Sequence, residues 1–179
     1  MGIDPAFAER QQAVVAAYER LGIRLDCTCT PYYLYTTGFG DHLAWSESSA
    51  VCYANSVIGA RTNREGGPSA LAAALVGKTA CYGLHLAKNR VPQVAIDVRA
   101  DTTGWGIAEY GALGYHAGKL VGNRIPYYRG IRPGPDQLKA LGAAMAATGA
   151  VALYHGYPGS CQRGNSAPGT GIRPRPAAI

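Results

Sequence analysis

Phenylalanine is almost absent from this chain, two in 179 residues against twelve tyrosines. An aromatic core built that way carries hydroxyls, and each needs a partner once buried. Charge is scarce too, at 16% of residues, while 47% are hydrophobic. That balance excludes a disordered chain and fits one packed domain, or one lobe of a larger protein. No uninterrupted apolar run approaches the roughly twenty residues that span a bilayer. No export signal is visible at the amphipathic N-terminus, so the expectation is a cytoplasmic protein with no membrane partner. Five cysteines in such a chain are not a disulfide framework. The net charge of +6 has no basic stripe behind it, and Arg163, Arg173 and Arg175 near the C-terminus supply half of the excess. Nucleic acid is therefore not an expected partner.

What the chain does have is one dense polar block, Cys27 to Pro68, set between Ala-, Gly-, Val- and Leu-rich stretches. Polar groups concentrated in this way line a site more often than a core.

Periodicity places the block within alternating helices and strands. Asp4-Pro5 predicts a helix start, and Phe7, Val14, Val15, Tyr18 and Leu21 give that helix one buried face before Gly22 ends it. Residues 23–28 alternate as a strand, which would carry Cys27 and Cys29 on one face at its C-terminal end. A loop follows, and Ser46 is the expected cap of a helix through Ile58. Pro68 opens a short helix ending at Gly77. Free N–H groups at the starts of these two helices would suit an anion. Residues 79–86 and 94–98 predict a hairpin. Residues 105–121 predict a glycine-rich helix, whose glycines either weaken it or allow close packing. A strand over 123–131, a helix over 133–148 and a strand over 150–155 complete an α/β pattern. From Gly156 the sequence becomes a Gly/Pro/Ser/Arg mixture, expected to lack regular structure. Residues 1–155 thus form the domain and 156–179 a low-complexity tail, of the composition a shifted reading frame would give.

Cys27-Thr28-Cys29 offers two thiols for a metal or an iron–sulfur cluster, but the spacing alone leaves buried thiols equally open. Cys52 and Cys81 read as buried small hydrophobes. His42, after a glycine-rich loop, suits acid–base work or plain packing. Glu47, Ser48 and Ser49 suit a polar ligand or ordinary helix capping. In ARTNREGG, Arg61 and Arg64 flank Thr62 and Asn63, offering forked donors to a carboxylate or phosphate, or forming a solvated loop. His85, His116 and His155 read as structural.

Taken together, the motifs resemble the catalytic domain of the aconitase X family. The resemblance rests on Cys27-Thr28-Cys29-Thr30-Pro31-Tyr32, on Gly40-Asp41-His42-Leu43-Ala44-Trp45, and on Glu47-Ser48-Ser49-Ala50-Val51. Ala54-Asn55-Ser56, the unbroken run from Gly59 to Leu75, and Tyr82-Gly83-Leu84-His85-Leu86 complete it. It implies an aconitase-like α/β lobe with a mixed or parallel sheet and flanking helices, truncated at both ends. It implies a hydro-lyase that dehydrates a hydroxy acid such as cis-3-hydroxy-L-proline or mevalonate 5-phosphate. An iron–sulfur cluster or mononuclear iron would act as Lewis acid on the leaving hydroxyl, with Cys29 as ligand ahead of Cys27. Arg61, Asn63 and Arg64 become substrate-binding candidates, and His42 and Ser48 catalytic ones. The family's small swivelling domain or subunit becomes the expected partner. The family's other cysteine ligands and its substrate loop have no match here, so the chain alone is expected neither to assemble the centre nor to turn over. The alternative is a non-catalytic remnant, or an anion-binding module, that binds a partner subunit.

Overall fold

The computed structural model describes residues 2–156 and the backbone of 176–178. Helix α1 (Pro5–Arg20) starts where Asp4 accepts the Ala6 N–H at 3.0 Å, with proline at the first helical position. None of its residues is buried; Phe7, Val14 and Leu21 of the expected apolar face are exposed while Val15 and Tyr18 are half-buried, so that face is covered only in part.

The expected strand over residues 23–28 does not form. Cys27 adopts φ +45°, outside the extended region, and no ladder partners the segment. Arg24 pairs with Asp26 at 2.8 Å, and Thr28 folds back to accept the Thr30 N–H at 3.0 Å. Strand alternation therefore does not place Cys27 and Cys29 on a common face.

Helix α2 (Ser48–Tyr53) runs into a wider π turn over Ala54–Ile58 and stops at Gly59, φ +80°. Helix α3 (Gly67–Val76) ends at Gly77. The expected hairpin is also absent. Residues 79–86 hold a 3-10 turn, Gly83–His85, followed by another at Ala87–Asn89. Strand β1 (Val94–Asp97) instead pairs in parallel with β2 (Pro126–Arg129), Val94 opposite Pro126 and Asp97 opposite Arg129. A parallel pair needs a crossover, and helix α4 (Ile107–Val121) supplies it. Helix α5 (Pro135–Gly149) then returns the chain to an extended segment at 151–156. That segment joins the far side of β2 only through a bridge between Tyr127 and His155. Within the tail, where no regular structure was expected, residues Pro176–Ala178 form strand β3 beside β1. The rest of the 157–179 expectation lies outside the described residues.

The core lies between the sheet and the α4–α5 pair, with Cys52 of α2 in the same cluster. Two of its tyrosines place their hydroxyls on buried partners, as the composition required. Tyr128 donates to the Met145 sulfur at 3.0 Å, and Tyr154 to the Leu138 carbonyl at 2.9 Å. The glycines of α4 are contact points rather than weaknesses. A Cβ on Gly114 would run into the Leu141 carbonyl and stand 3.0 Å from Ala144 Cβ, and one on Gly118 would lie 3.1 Å from the Met145 Cα. The two helix backbones approach this closely only because those side chains are missing.

Gly111 on the same helix faces open space. Gly114→Val should lower the urea-unfolding free energy by about 1–3 kcal/mol through overpacking. Gly111→Ala should raise it by roughly 0.5–1 kcal/mol through helix propensity. Equal effects from the two substitutions would show that close packing does not explain Gly114.

Candidate functional site

The polar block folds into two neighbouring clusters. The first is built on the loop Thr28–Tyr33 and the start of α2. An open concavity of about 410 Å³ is lined by Thr28, Pro31, Ala44, Trp45, Ser46 and Glu47. A second one, of about 360 Å³, includes Thr30, Tyr32, Ser49, Tyr53 and Lys139 in its lining. The CTCTPY loop thus contributes to both.

The cap of α2 is Glu47, not Ser46 as expected. Its Oε1 accepts the Ser49 N–H and the Ser49 hydroxyl, each at 3.1 Å, with the Ser48 hydroxyl at 3.4 Å. A carboxylate suits the positive end of a helix better than a hydroxyl does. The anion expected at this helix start is therefore the chain's own. Ser48 is half-buried at the first helical position.

Lys139 of α5 holds the loop from the other side. Its ammonium donates to the Tyr33 hydroxyl at 2.8 Å and pairs with Asp136 at 3.1 Å. It also lies 4.6 Å from the Tyr33 ring centre. The Tyr33 bond raises its pKa above the usual lysine value, with Asp136 adding to the effect. Nothing in the sequence spacing links residue 139 to residue 33.

The second cluster contains the ARTNREGG loop. Residues 41–45 run beside 61–65: Leu43 N–H donates to the Arg61 carbonyl at 2.9 Å, and Glu65 N–H to the Trp45 carbonyl at 3.0 Å. This ribbon brings His42 next to Arg61. Arg61 Nη1 donates to the His85 carbonyl at 2.8 Å, while Asn63 accepts the Leu84 N–H at 2.8 Å and donates to the Tyr82 carbonyl at 3.3 Å. Two of the three substrate-binding candidates therefore clamp the turn at 82–85. Arg64 is exposed, and its hydrogen bond to the Ala146 carbonyl is long, 3.5 Å. His42 Nδ1 lies 2.8 Å from His85 Nδ1. His85 is buried, 3% exposed, and burial is the main cause that lowers its pKa, with His42 adding to it.

Behind both clusters sits Arg90, 5% exposed. Nη1 donates to Asn55 Oδ1 at 2.8 Å and to the Leu84 carbonyl at 3.1 Å. Nη2 donates to the carbonyls of Asn55 at 2.9 Å and Ala60 at 3.1 Å. Asn55 in turn accepts the Thr62 N–H at 3.1 Å and donates to the carbonyls of Thr62 and Ala152. Burial lowers the Arg90 pKa to about 10, so the guanidinium remains charged at neutral pH. The sequence does not single out Arg90, because an arginine before Val-Pro carries no sign of being buried.

Cys27 and Cys29 are both exposed, as is Cys81, which was expected to be buried. Cys52 is buried as expected, and desolvation pushes its thiol up to about 12. Exposed thiols are apt soft donors for iron. Among the described residues, however, no group of three His, Cys, Asp or Glu side chains is placed to hold a metal ion. The donors among the described residues do not make a complete metal centre. No helix among the described residues is long and apolar enough to cross a membrane.

Two tests follow from this geometry. Arg90→Met leaves several buried acceptors unpaired and should cost about 3 kcal/mol or more of folding stability. Arg90→Lys should not restore it, because an ammonium cannot span the fork. A lysine variant of wild-type stability, read from urea denaturation, would refute the clamp. The second test uses pH. With its folded pKa depressed, His85 binds its proton more readily in the unfolded chain. Stability should therefore fall as pH drops below the ordinary histidine value of about 6.5, until the folded group also titrates. His85→Asn should remove that part of the acid loss when urea midpoints at mildly acidic and neutral pH are compared.

The family model described as Aconitase X first domain matches residues 1–88, and that of the Aconitase X second domain matches residues 92–158. The phosphomevalonate dehydratase large subunit of Methanosarcina mazei is 64% identical over 156 residues, 86% of this chain and 38% of that protein. The cis-3-hydroxy-L-proline dehydratase of Pseudomonas aeruginosa is 37% identical over 158 residues, 86% of this chain and 27% of that protein. The crystal structure of Thermococcus kodakaraensis aconitase X, holo-form, superimposes with a TM-score of 0.88 at 49% identity. It covers 100% of this chain, which in turn covers 45% of it. The chain spans roughly two fifths of the length of the phosphomevalonate dehydratase large subunits it matches. With both domain models matched and the fold shared, the chain belongs to the aconitase X family.

Proposed function

We propose that this chain forms part of the large subunit of a hydro-lyase that dehydrates a phosphorylated hydroxy acid of the phosphomevalonate type. The observation that carries this reading is the 64% identity to a phosphomevalonate dehydratase large subunit, against 37% to a cis-3-hydroxy-L-proline dehydratase over a similar span. The "large subunit" in the relatives' name supports a small subunit as partner.

Within this reading the residues divide by what already occupies them. Arg61 and Asn63 hold the 82–85 turn, so their contribution to a substrate carboxylate or phosphate is mainly to shape the wall behind it. Arg64, exposed and weakly bonded, is the arginine with most freedom to meet an anionic group. Ser48 presents a hydroxyl beside the Glu47 carboxylate, a donor–acceptor pair suited to a substrate hydroxyl. His42 adds an imidazole at the edge of the ribbon. Cys29, and after it Cys27, would serve as this lobe's ligand to an iron centre whose remaining ligands lie outside the described residues.

A chimera tests the proposal. Residues 3–155 replace the matching segment of the Methanosarcina mazei large subunit, co-expressed with that enzyme's small subunit. The product should bind iron and dehydrate phosphomevalonate, with little action on cis-3-hydroxy-L-proline. Cys29→Ser in the chimera should remove iron and lower turnover at least about 100-fold, while Cys27→Ser should retain both. Iron loss from Cys27→Ser alone would reverse the ligand assignment. A folded, iron-loaded chimera inert on phosphomevalonate would overturn the function.

A further inference from the structure

Two rings in the second cluster are closer than packing alone requires. The 2.8 Å between His42 Nδ1 and His85 Nδ1 is a hydrogen-bond distance. The ring planes are 10° apart and the centroids 5.0 Å apart. That combination fits rings meeting edge to edge, with an N–H of one aimed along the lone pair of the other. Face-to-face stacking would hold the two nitrogens at van der Waals separation instead.

Such a bond needs one proton between the two Nδ1 atoms, and the partnering of His85 decides which ring carries it. His85 Nε2 is buried and has no hydrogen-bond partner among the described residues. If His42 donated from Nδ1, neutral His85 would have to carry its hydrogen on Nε2, leaving an orphaned N–H inside the protein. If His85 donates, its Nε2 keeps only a lone pair. Buried orphan N–H groups are the rarer and costlier defect. The charged groups facing His85 are Glu65, which favours a proton on it, and Arg90 and Arg61, which oppose one. The backbone beneath the ring is fixed as well. Arg61 holds the His85 carbonyl at 2.8 Å, Arg90 the Leu84 carbonyl at 3.1 Å, and Asn63 the Leu84 N–H at 2.8 Å.

We propose that His85 is the positioning residue of His42: its Nδ1–H locks His42 as the Nε2–H tautomer, a neutral donor at the exposed edge of the site. Protonating His42 would require its Nδ1 to become a donor and the His85 hydrogen to move to the buried Nε2. In the observed arrangement His42 presents its Nε2–H as the donor at the exposed edge of the site. Its use toward an anionic substrate oxygen rests on the dehydratase reading. The tautomer does not.

The test is the long-range proton–nitrogen spectrum of the ¹⁵N-labelled chain, with His42 assigned through His42→Gln. His42 should show a pyrrole-type Nε2 and a pyridine-type Nδ1 at neutral pH. His85→Phe should release His42 to mixed tautomers. His85→Asn, whose amide nitrogen stands near the position of Nδ1, should restore the Nε2–H form. A protonated Nδ1 on wild-type His42 would overturn the proposal, and so would a His42 tautomer unchanged by His85→Phe. If the phenylalanine variant does not fold, the wild-type tautomer and the asparagine variant decide the matter. Because the spectrum needs no turnover, an inactive chimera with this tautomer intact would count against the dehydratase reading alone.

Discussion

One buried cation organises this lobe with no ion-pair partner among the described residues. The Arg90 guanidinium is held by Asn55 Oδ1 and three carbonyl oxygens rather than by a carboxylate. A buried charge is tolerable only when its donors are met, and carbonyl dipoles meet them here. The four acceptors come from the π turn, the first residue of the ARTNREGG loop, and the turn at 83–85. These are three pieces of chain that no sheet or helix joins. The Arg90 carbonyl also lies 2.7 Å from His155 Nε2, which brings in the last extended segment. Remove the fork and the polar block loses the element that sets its parts at fixed distances.

Much of the fold could be read from the chain, because periodicity reports helices well. The α4 and α5 helices lie within a residue or two of expectation, and so do the ends of α3. The failures share a cause. Residues 23–28 alternate like a strand, but alternation does not supply a neighbour, and Cys27 turns the backbone out of the extended region. Residues 79–86 have strand-like composition, yet their backbone is claimed by the side chains of Arg61, Asn63 and Arg90. Side-chain-to-backbone bonds over such separations leave no periodic trace.

The site was legible in content more than in arrangement. Composition and motif marked residues 27–68 correctly as the dense block, and the family resemblance is confirmed by both domain matches. What could not be read was the division of labour within it. Glu47, grouped with Ser48 and Ser49 for a polar ligand or ordinary capping, is the cap itself, and His85, set aside as structural, meets His42. Arg90 and Lys139 went unnoticed because their partners lie far away in the sequence. Identity of residue type is local information, while the pairing of donors with acceptors is a property of the folded chain.

The π turn at 54–58 has a further consequence. A regular helix keeps a single phase, so its inward face repeats every three or four residues. Widening one turn slips that phase, and the buried residues of the wider turn are Ala54, Asn55 and Ser56. Upstream of the slip the helix turns Ala50, Val51 and Cys52 inward, and at the slip it presents an amide and a hydroxyl to the Arg90 fork and to Tyr154. One short helix thus works as a vernier between two registers, an oily one and a polar one. A sequence change that restored ordinary winding would rotate one register out of mesh with the other, even with every side chain retained.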